Sequence, residues 1–343
     1  MFFPLLLLLF AWMFSLSSPI VLLPMGVVPS IDLPVSISTT QEKQPPISLL
    51  AVGDIMLDRY VETLIKKEGA EYPFAKIGAL LENYDIVLGN LEGPVVEKRK
   101  QTPDNAMNFS FSPEYLSILK DNHFSILTLA NNHTYDHGKE AFAETREQLK
   151  NAGLTPLGHP LEITSEHAVI KDIHGKRIGF LGFNATKLPF DRDQASLLVQ
   201  EMNSQTDIVI VTIHWGNEYA LKPNKLQKEL AHIFVDSGAD AVIGHHPHVV
   251  QSIEMYKDKM IFYSLGNFIF DQYFSTATQE ELAVAMKIEE HKITYTLHPL
   301  RSKRSQPEPM QDKAAGDFLK SLADRSDPQL AASIASAILV TPL

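Results

Sequence analysis

Residues 126–138 read ILTLANNHTYDHG, in which apolar or neutral residues from Ile126 to Ala130 run straight into Asn131, Asn132 and His133, with Asp136 and Gly138 closing the stretch. Amides and an imidazole at the end of a core strand must be satisfied, because an unpaired polar group inside a protein is costly. In open α/β sheets, ligands bind at the carboxyl ends of strands. The stretch therefore predicts a strand over Phe124–Ala130 that delivers polar side chains to a binding site. A charged amphipathic helix over Gly138–Asn151 is expected to follow, ending at Gly153.

The same design recurs on both sides. Ile47–Val52 leads into Gly53 and Asp54, with Asp58 close behind, and Tyr84–Leu88 leads into Asn90 and Glu92. Further on, Ile208–Ile213 delivers His214 and Trp215, and Ala241–Ile243 delivers His245, His246 and His248. Each signal alone has a plainer explanation: Asp54 and Asp58 as helix caps or turn residues, His214 as a hydrogen-bonded core imidazole. Polar endings after successive apolar strands are better explained by one shared site. Mixed carboxylate, amide and imidazole donors suit a divalent metal such as Mn, Fe, Zn, Co or Mg. Many donors in one place is also the pattern of two ions ~3.5–4 Å apart.

Strands alternating with helices predict βαβ units in the first half. Helices are expected over Arg59–Glu68, Ile77–Leu81, Pro113–Lys120, Gln194–Asn203 and Lys222–Ser237, and a hairpin over Ala168–Gly182. Met260–Ser264, Glu281–Glu289 and Lys292–Leu300 are expected to close a second sheet. The reading is an α/β fold with two central mixed sheets flanked by helices. The polar run Glu97–Asn108 is expected to lie over the site. Gly89, Gly138 and Gly266 read as turn residues, and Trp215 as core.

Composition narrows the function classes. A formal net charge of -11 argues against a nucleic-acid surface, and the absence of cysteine excludes disulfides, thiolate zinc sites and cysteine nucleophiles. Residues 1–28 are almost wholly apolar and the first basic residue is Lys43, so a signal peptide or membrane anchor without its usual basic start is expected. That places the chain outside the cytoplasm or on the outer face of a membrane, with the segment cleaved or retained. A linker over 29–46, a main domain over 47–300 and a peripheral extension over 301–343 complete the division.

Six motifs carry a resemblance: AVGDIMLDR (51–59), VLGNLEGPV (87–95), LTLANNHTYDHG (127–138), VTIHWGNEY (211–219), GHHPHVVQ (244–251) and YSLGNFIFDQ (263–272). Together they resemble the CapA family of poly-γ-glutamate capsule biosynthesis proteins, itself similar to the calcineurin-like metallophosphoesterases. The resemblance implies a metallophosphatase-like αββα sandwich holding one or two divalent ions. It implies metal ligation by Asp54, Glu92, Asn132, His214, His245 and His248. His133 would act on the leaving group, with Asp136 orienting it. Asp58, Asn90, Glu218, His246 and Asn267 would contact substrate or support the ligands, Glu218 orienting His214 in one version. Met56 stands where a metal-binding histidine is usual, which removes a nitrogen donor. Three functions follow: metal-dependent hydrolysis of a phosphate ester or an amide-linked polymer in poly-γ-glutamate synthesis or export; non-catalytic binding of an anionic polymer beside membrane-embedded synthase subunits; or action on another cell-envelope phosphate ester, of a glycan, lipid or nucleotide. The second would use basic contacts from Arg59, Lys98, Arg99 and Lys100.

Overall fold

Period-two alternation along the strands sets the layers. In β1 (Ile47–Ile55), Leu49 and Ala51 face one apolar cluster while Leu50 and Val52 face another. A strand buried on both faces needs a layer on each side, and the rest of the chain supplies them. The computed structural model describes residues 44–343; the apolar segment 1–28 and most of the 29–46 linker lie outside the described residues.

After β1 come α1 (Arg59–Glu68), α2 (Gly78–Leu81), β2 (Ile86–Leu91), α3 (Tyr115–Asp121), β3 (Ile126–Thr128), α4 (Gly138–Asn151) and β4 (Thr155–Leu157). The middle of the chain forms β5 (Val169–Ile173), β6 (Lys176–Asn184), α5 (Arg192–Gln205), β7 (Ile208–His214), α6 (Lys225–Asp236), β8 (Ala241–His245), β9 (Ile253–Tyr256) and β10 (Lys259–Phe262). The last part forms β11 (Asn267–Ile269), β12 (Glu280–Ile288), β13 (Lys292–Lys303), β14 (Gln306–Pro309), α7 (Asp312–Arg325), α8 (Ala331–Ala335) and β15 (Ile338–Pro342).

One sheet runs β14-β13-β12-β1-β2-β3-β4, with β11 alongside the end of β1 and β15 on β13. The other runs β5-β6-β7-β8-β10-β9. Each has parallel strands at its centre and antiparallel strands at an edge. Between the sheets lie Leu49, Leu88 and Ile126 from the first and Phe180, Ile210 and Ile243 from the second. Helices α1, α3 and α4 cover the outer face of the first sheet, through Val61, Leu119 and Phe142 among others. Helices α5 and α6 cover the outer face of the second, through Val199 and Phe234. This is the αββα sandwich. At about 1.5–3 kcal/mol for each large apolar side chain buried, three such layers hold the strand ends in place.

Three expectations fail. The strand at Glu280–Ile288 pairs with β1 and that at Lys292–Lys303 with β12, so both extend the first sheet rather than closing the second. Only β10, of the three segments, belongs to the second sheet. The C-terminal segment is not peripheral either. Phe318, Leu319 and Leu322 of α7, with Ile334 and Leu339, pack into the layer between the sheets, and β15 adds a strand along β13. Gly89 is also no turn: it sits inside β2, where a Cβ would lie 2.7 Å from Ile55 Cδ1.

Candidate metal centre

The parallel strands of both sheets end on the same side of the sandwich. Register pairs Asp54 with Asn90 and Asn90 with Thr128 in the first sheet, and Asn184, His214 and His245 across the second. Two glycines let these ends come close. A Cβ on Gly53 would lie 2.1 Å from Gly266 O, and one on Gly244 would lie 2.0 Å from Tyr263 O. Each glycine immediately precedes a proposed ligand, Asp54 or His245.

Asp54, Glu92 and His214 are fully buried and offer donor atoms within 4.8 Å of one another. Asn90 sits at their centre. Its Nδ2 donates to Asp54 Oδ1 at 2.8 Å and to Glu92 Oε1 at 3.2 Å, and lies 3.2 Å from His214 Nδ1. His214 Nε2 lies 2.7 Å from Asn132 Oδ1 and 3.9 Å from Glu92 Oε1. On the other side of Asp54, His245 Nδ1 approaches Oδ1 at 3.2 Å and His248 Nδ1 approaches Oδ2 at 3.3 Å. The six ligands named from the sequence are thus brought together.

Protonation follows from the crowding. Burial pushes the Asp54 carboxyl up, but His245 and His248 outweigh it and hold the group well below the usual carboxylate range. Burial and then the Asp54 charge push Glu92 well above it. Burial, then His246, keeps His214 neutral by lowering its pKa. For His248 burial works downward, but Glu92 and Asp54 win and raise it to about 9. Two buried carboxylates bridged by one amide nitrogen cannot both ionise without added positive charge.

A divalent metal fits these residues. Both ring nitrogens of His245 and Oε2 of Glu92 are buried with no hydrogen-bond partner. Leaving such atoms unpaired costs about 1–3 kcal/mol each, which coordination would offset. His245 Nδ1 and Asp54 Oδ1 are close, yet lack hydrogen-bonding alignment, as expected of two donors aimed at one point rather than at each other. The donor set of carboxylates, imidazoles and an amide suits a borderline divalent ion.

His133 stands beside this cluster. Its Nδ1 donates to Asp136 Oδ2 at 2.8 Å, the same oxygen that accepts from Phe109 N at 2.8 Å, and the Phe109 ring packs on the imidazole at 4.2 Å. Nothing in the sequence singled out Phe109, because its contact depends on a loop folding back over 24 residues. Asn131 does not point at the site as a ligand: it ties Asn90 Oδ1 and Leu91 O to the backbone of His133 and Thr134.

Other candidates divide. Asn267 Oδ1 accepts from His248 Nδ1 at 3.0 Å. Glu218 groups with His246 and His248, not with His214, whose nitrogens face Asn90 and Asn132. Asp58 leaves the site altogether. It caps α1 through Arg59 N, pairs with Arg99 at 2.6 Å, and accepts from Thr102 N and Ser110 N. Arg59 and Arg99 are buried in ion pairs with Asp271 and with Asp58 and Glu62, so only Lys98 and Lys100 of the basic candidates are exposed. Met56 is fully buried under α1, its Sδ accepting from Asp58 N at 3.1 Å. Trp215 is core, its Nε1 donating to Tyr263 O at 2.8 Å.

Comparison with known proteins now bears on this geometry. The model of the bacterial capsule synthesis protein family PGA_cap matches residues 48–272, which contain every proposed ligand. The chain belongs to the PGA_cap family. Among relatives, it is 34% identical over 286 residues to the capsule biosynthesis protein CapA of Bacillus anthracis, covering 77% of this chain and 69% of that one. It is 36% identical over 237 residues to the PGA biosynthesis protein CapA of Bacillus subtilis, covering 64% of this chain and 62% of that one. A Mycobacterium tuberculosis protein named a "probable polyglutamine synthesis accessory protein" is 26% identical over 229 residues, covering 58% of this chain and 60% of that one. The PGA_cap match ends at residue 272, so strands β12 to β15 are built by sequence beyond it.

Proposed function

We propose that this PGA_cap protein is a metal-dependent hydrolase serving the synthesis or export of poly-γ-glutamate, held at the outer face of a membrane by its apolar N-terminus beside the synthase. The observation that carries the catalytic half is His245, a buried imidazole with two unpartnered nitrogens placed against a carboxylate held ionised. The names of the relatives support the polymer half.

Asp54, Glu92, Asn132, His214, His245 and His248 would hold one or two divalent ions of the Mn, Fe, Zn, Co or Mg class. When bound, such an ion supplies Lewis acidity toward an anionic or carbonyl oxygen. The chain's own residues do the rest. Asn90 orients Asp54, Glu92 and His214 through one amide nitrogen. Asp136 fixes the His133 tautomer with the proton on Nδ1, leaving Nε2 to exchange a proton with the reacting group. Phe109 holds the ring plane and excludes water from one face of it. The substrate is a phosphate ester or an amide link of the polymer.

A second reading, a polymer-binding subunit without chemistry, is favoured by one observation: Met56 is turned into the core and gives the centre nothing. Elemental analysis of the full-length protein separates the two. About one or two transition ions per chain, lost in both Asp54→Ala and His245→Ala, is the expected result. Turnover of phosphodiesters or of polyglutamate by the loaded protein alone should follow. No bound metal after reconstitution with Mn or Zn would overturn the catalytic reading and leave the binding subunit.

A further inference from the structure

Beside the Asp54–Glu92–His214 group lies a second one. Glu218, His246 and His248 also offer donor atoms within 4.8 Å of one another, and Glu218 is the exposed member of the three. The two groups share a border, since His248 Nδ1 is 3.3 Å from Asp54 Oδ2.

Three further features mark the second group as built. His246 has φ +96°, a backbone state that a residue with a side chain enters only when its surroundings demand it. The side chain so placed is 9% exposed, and its Nδ1 is buried with no hydrogen-bond partner. The carriers of these residues are also fastened together: Trp215 N donates to His245 O at 3.1 Å, and Tyr219 N donates to Pro247 O at 2.8 Å. Tyr219 itself has φ +63°, so both loops bend out of the usual range next to the cluster.

We infer that Glu218, His246 and His248 form a second divalent-cation position, on the solvent side of the Asp54–Glu92–His214 position, that supplies the donors Met56 withholds. His248 spends Nδ1 on Asn267 and Asp54, which leaves its Nε2 for the ion. Two imidazoles and one carboxylate are the donor set of an open zinc-type site, with a coordination place left for a substrate oxygen. The exposure of Glu218 makes this position the weaker and the more exchangeable of the two. The inference rests on the metal reading above; it gives His248 to the second position and adds Glu218 and His246, which lie outside the six ligands.

Full-length protein, stripped with a chelator and titrated with Mn²⁺, tests it through stoichiometry and through the electron paramagnetic resonance signal of a coupled Mn pair. The wild type should take up two ions of unequal affinity. Glu218→Gln and His246→Gln should each remove the weaker ion and the coupling, lowering uptake from two to one while the tighter ion stays. Glu218 is exposed, so its variant keeps the test valid if His246→Gln fails to fold. Two ions retained in Glu218→Gln would overturn the inference. So would a single ion in the wild type unaffected by either change, although the metal reading would then stand. No ion in the wild type would overturn both.

Discussion

Asp54 and Asp58 lie four residues apart in GDIMLDR, both are 0% exposed, and they do opposite things. Asp58 is surrounded by donors: the guanidinium of Arg99 and the backbone N–H groups of Arg59, Thr102 and Ser110. Asp54 takes N–H groups from Asn90 Nδ2 at 2.8 Å and His246 N at 3.4 Å, and is packed against two imidazoles, of which His245 has no hydrogen-bond partner for either nitrogen, with the Glu92 carboxyl across Asn90. A buried carboxylate whose neighbours all donate is complete and structural. One that shares its pocket with an unpartnered imidazole and a second buried carboxyl is placed to share a cation with them. Burial alone does not tell the two apart; the inventory of donors and acceptors does.

Breaking the structural side should give the largest effect. Arg99→Met leaves Asp58 and much of Glu62 buried without their guanidinium, a class of change that costs about 3–5 kcal/mol. Urea unfolding should show that loss, and metal uptake by the protein still folded should be unchanged. A loss of bound metal without a loss of stability would reverse the assignment of the two aspartates.

The same pair shows how far the sequence could be read. Residue 54 follows an apolar strand and a glycine, so a ligand at a strand end was legible, as were Glu92, His214 and His245 by the same logic. Asp58 carried no local mark, because its decisive partner, Arg99, lies 41 residues on and the sequence offers no register between them. The misplacement of β12 and β13 has the same cause. A strand's apolar pattern reports that it is buried on a sheet but not which strand it pairs with, and β12 pairs with β1 across 233 positions or more, from Ala51 with Val284 to Ile47 with Ile288. The segment of Phe318 and Leu322 reads as a peripheral extension, and only the layer they fill shows that they are core.

Sharpening the functional side calls for a milder change. Asp136→Asn keeps the shape beside His133 but removes the charge that fixes its tautomer, and it can present an N–H to Nδ1 in place of an acceptor. Turnover should fall about ten- to hundredfold, within the range that general acid–base groups contribute. Metal content should stay at the wild-type level, since Asp136 touches none of the six ligands' donor atoms in the contacts described. A kcat drop accompanied by metal loss would place Asp136 in the support of the centre instead.

The smallest effect should come from a histidine that resembles Asp58 rather than Asp54. His159 is buried like His245, but its Nδ1 accepts from the backbone of Leu161 at 3.0 Å and Glu162 at 2.7 Å, and its Nε2 meets Tyr135 Oη at 3.0 Å. Burial lowers its pKa to about 4, with Glu162 working against that and His167, Arg146 and Lys139 adding to it. Because the folded value lies below the ordinary 6.5, the unfolded chain binds the proton more readily. Its contribution is therefore complete above pH 6.5 and is lost as pH falls toward 4. His159→Asn keeps an acceptor for the two backbone N–H groups and removes the titration. Urea midpoints measured at pH 7.5 and pH 5 should differ less in this variant than in the wild type, the remaining slope belonging to His167 and the carboxylates. Identical slopes would show that His159 titrates alike in the folded and unfolded chain, and its Nδ1 would then release the N–H groups of Leu161 and Glu162 on protonation by pH 5.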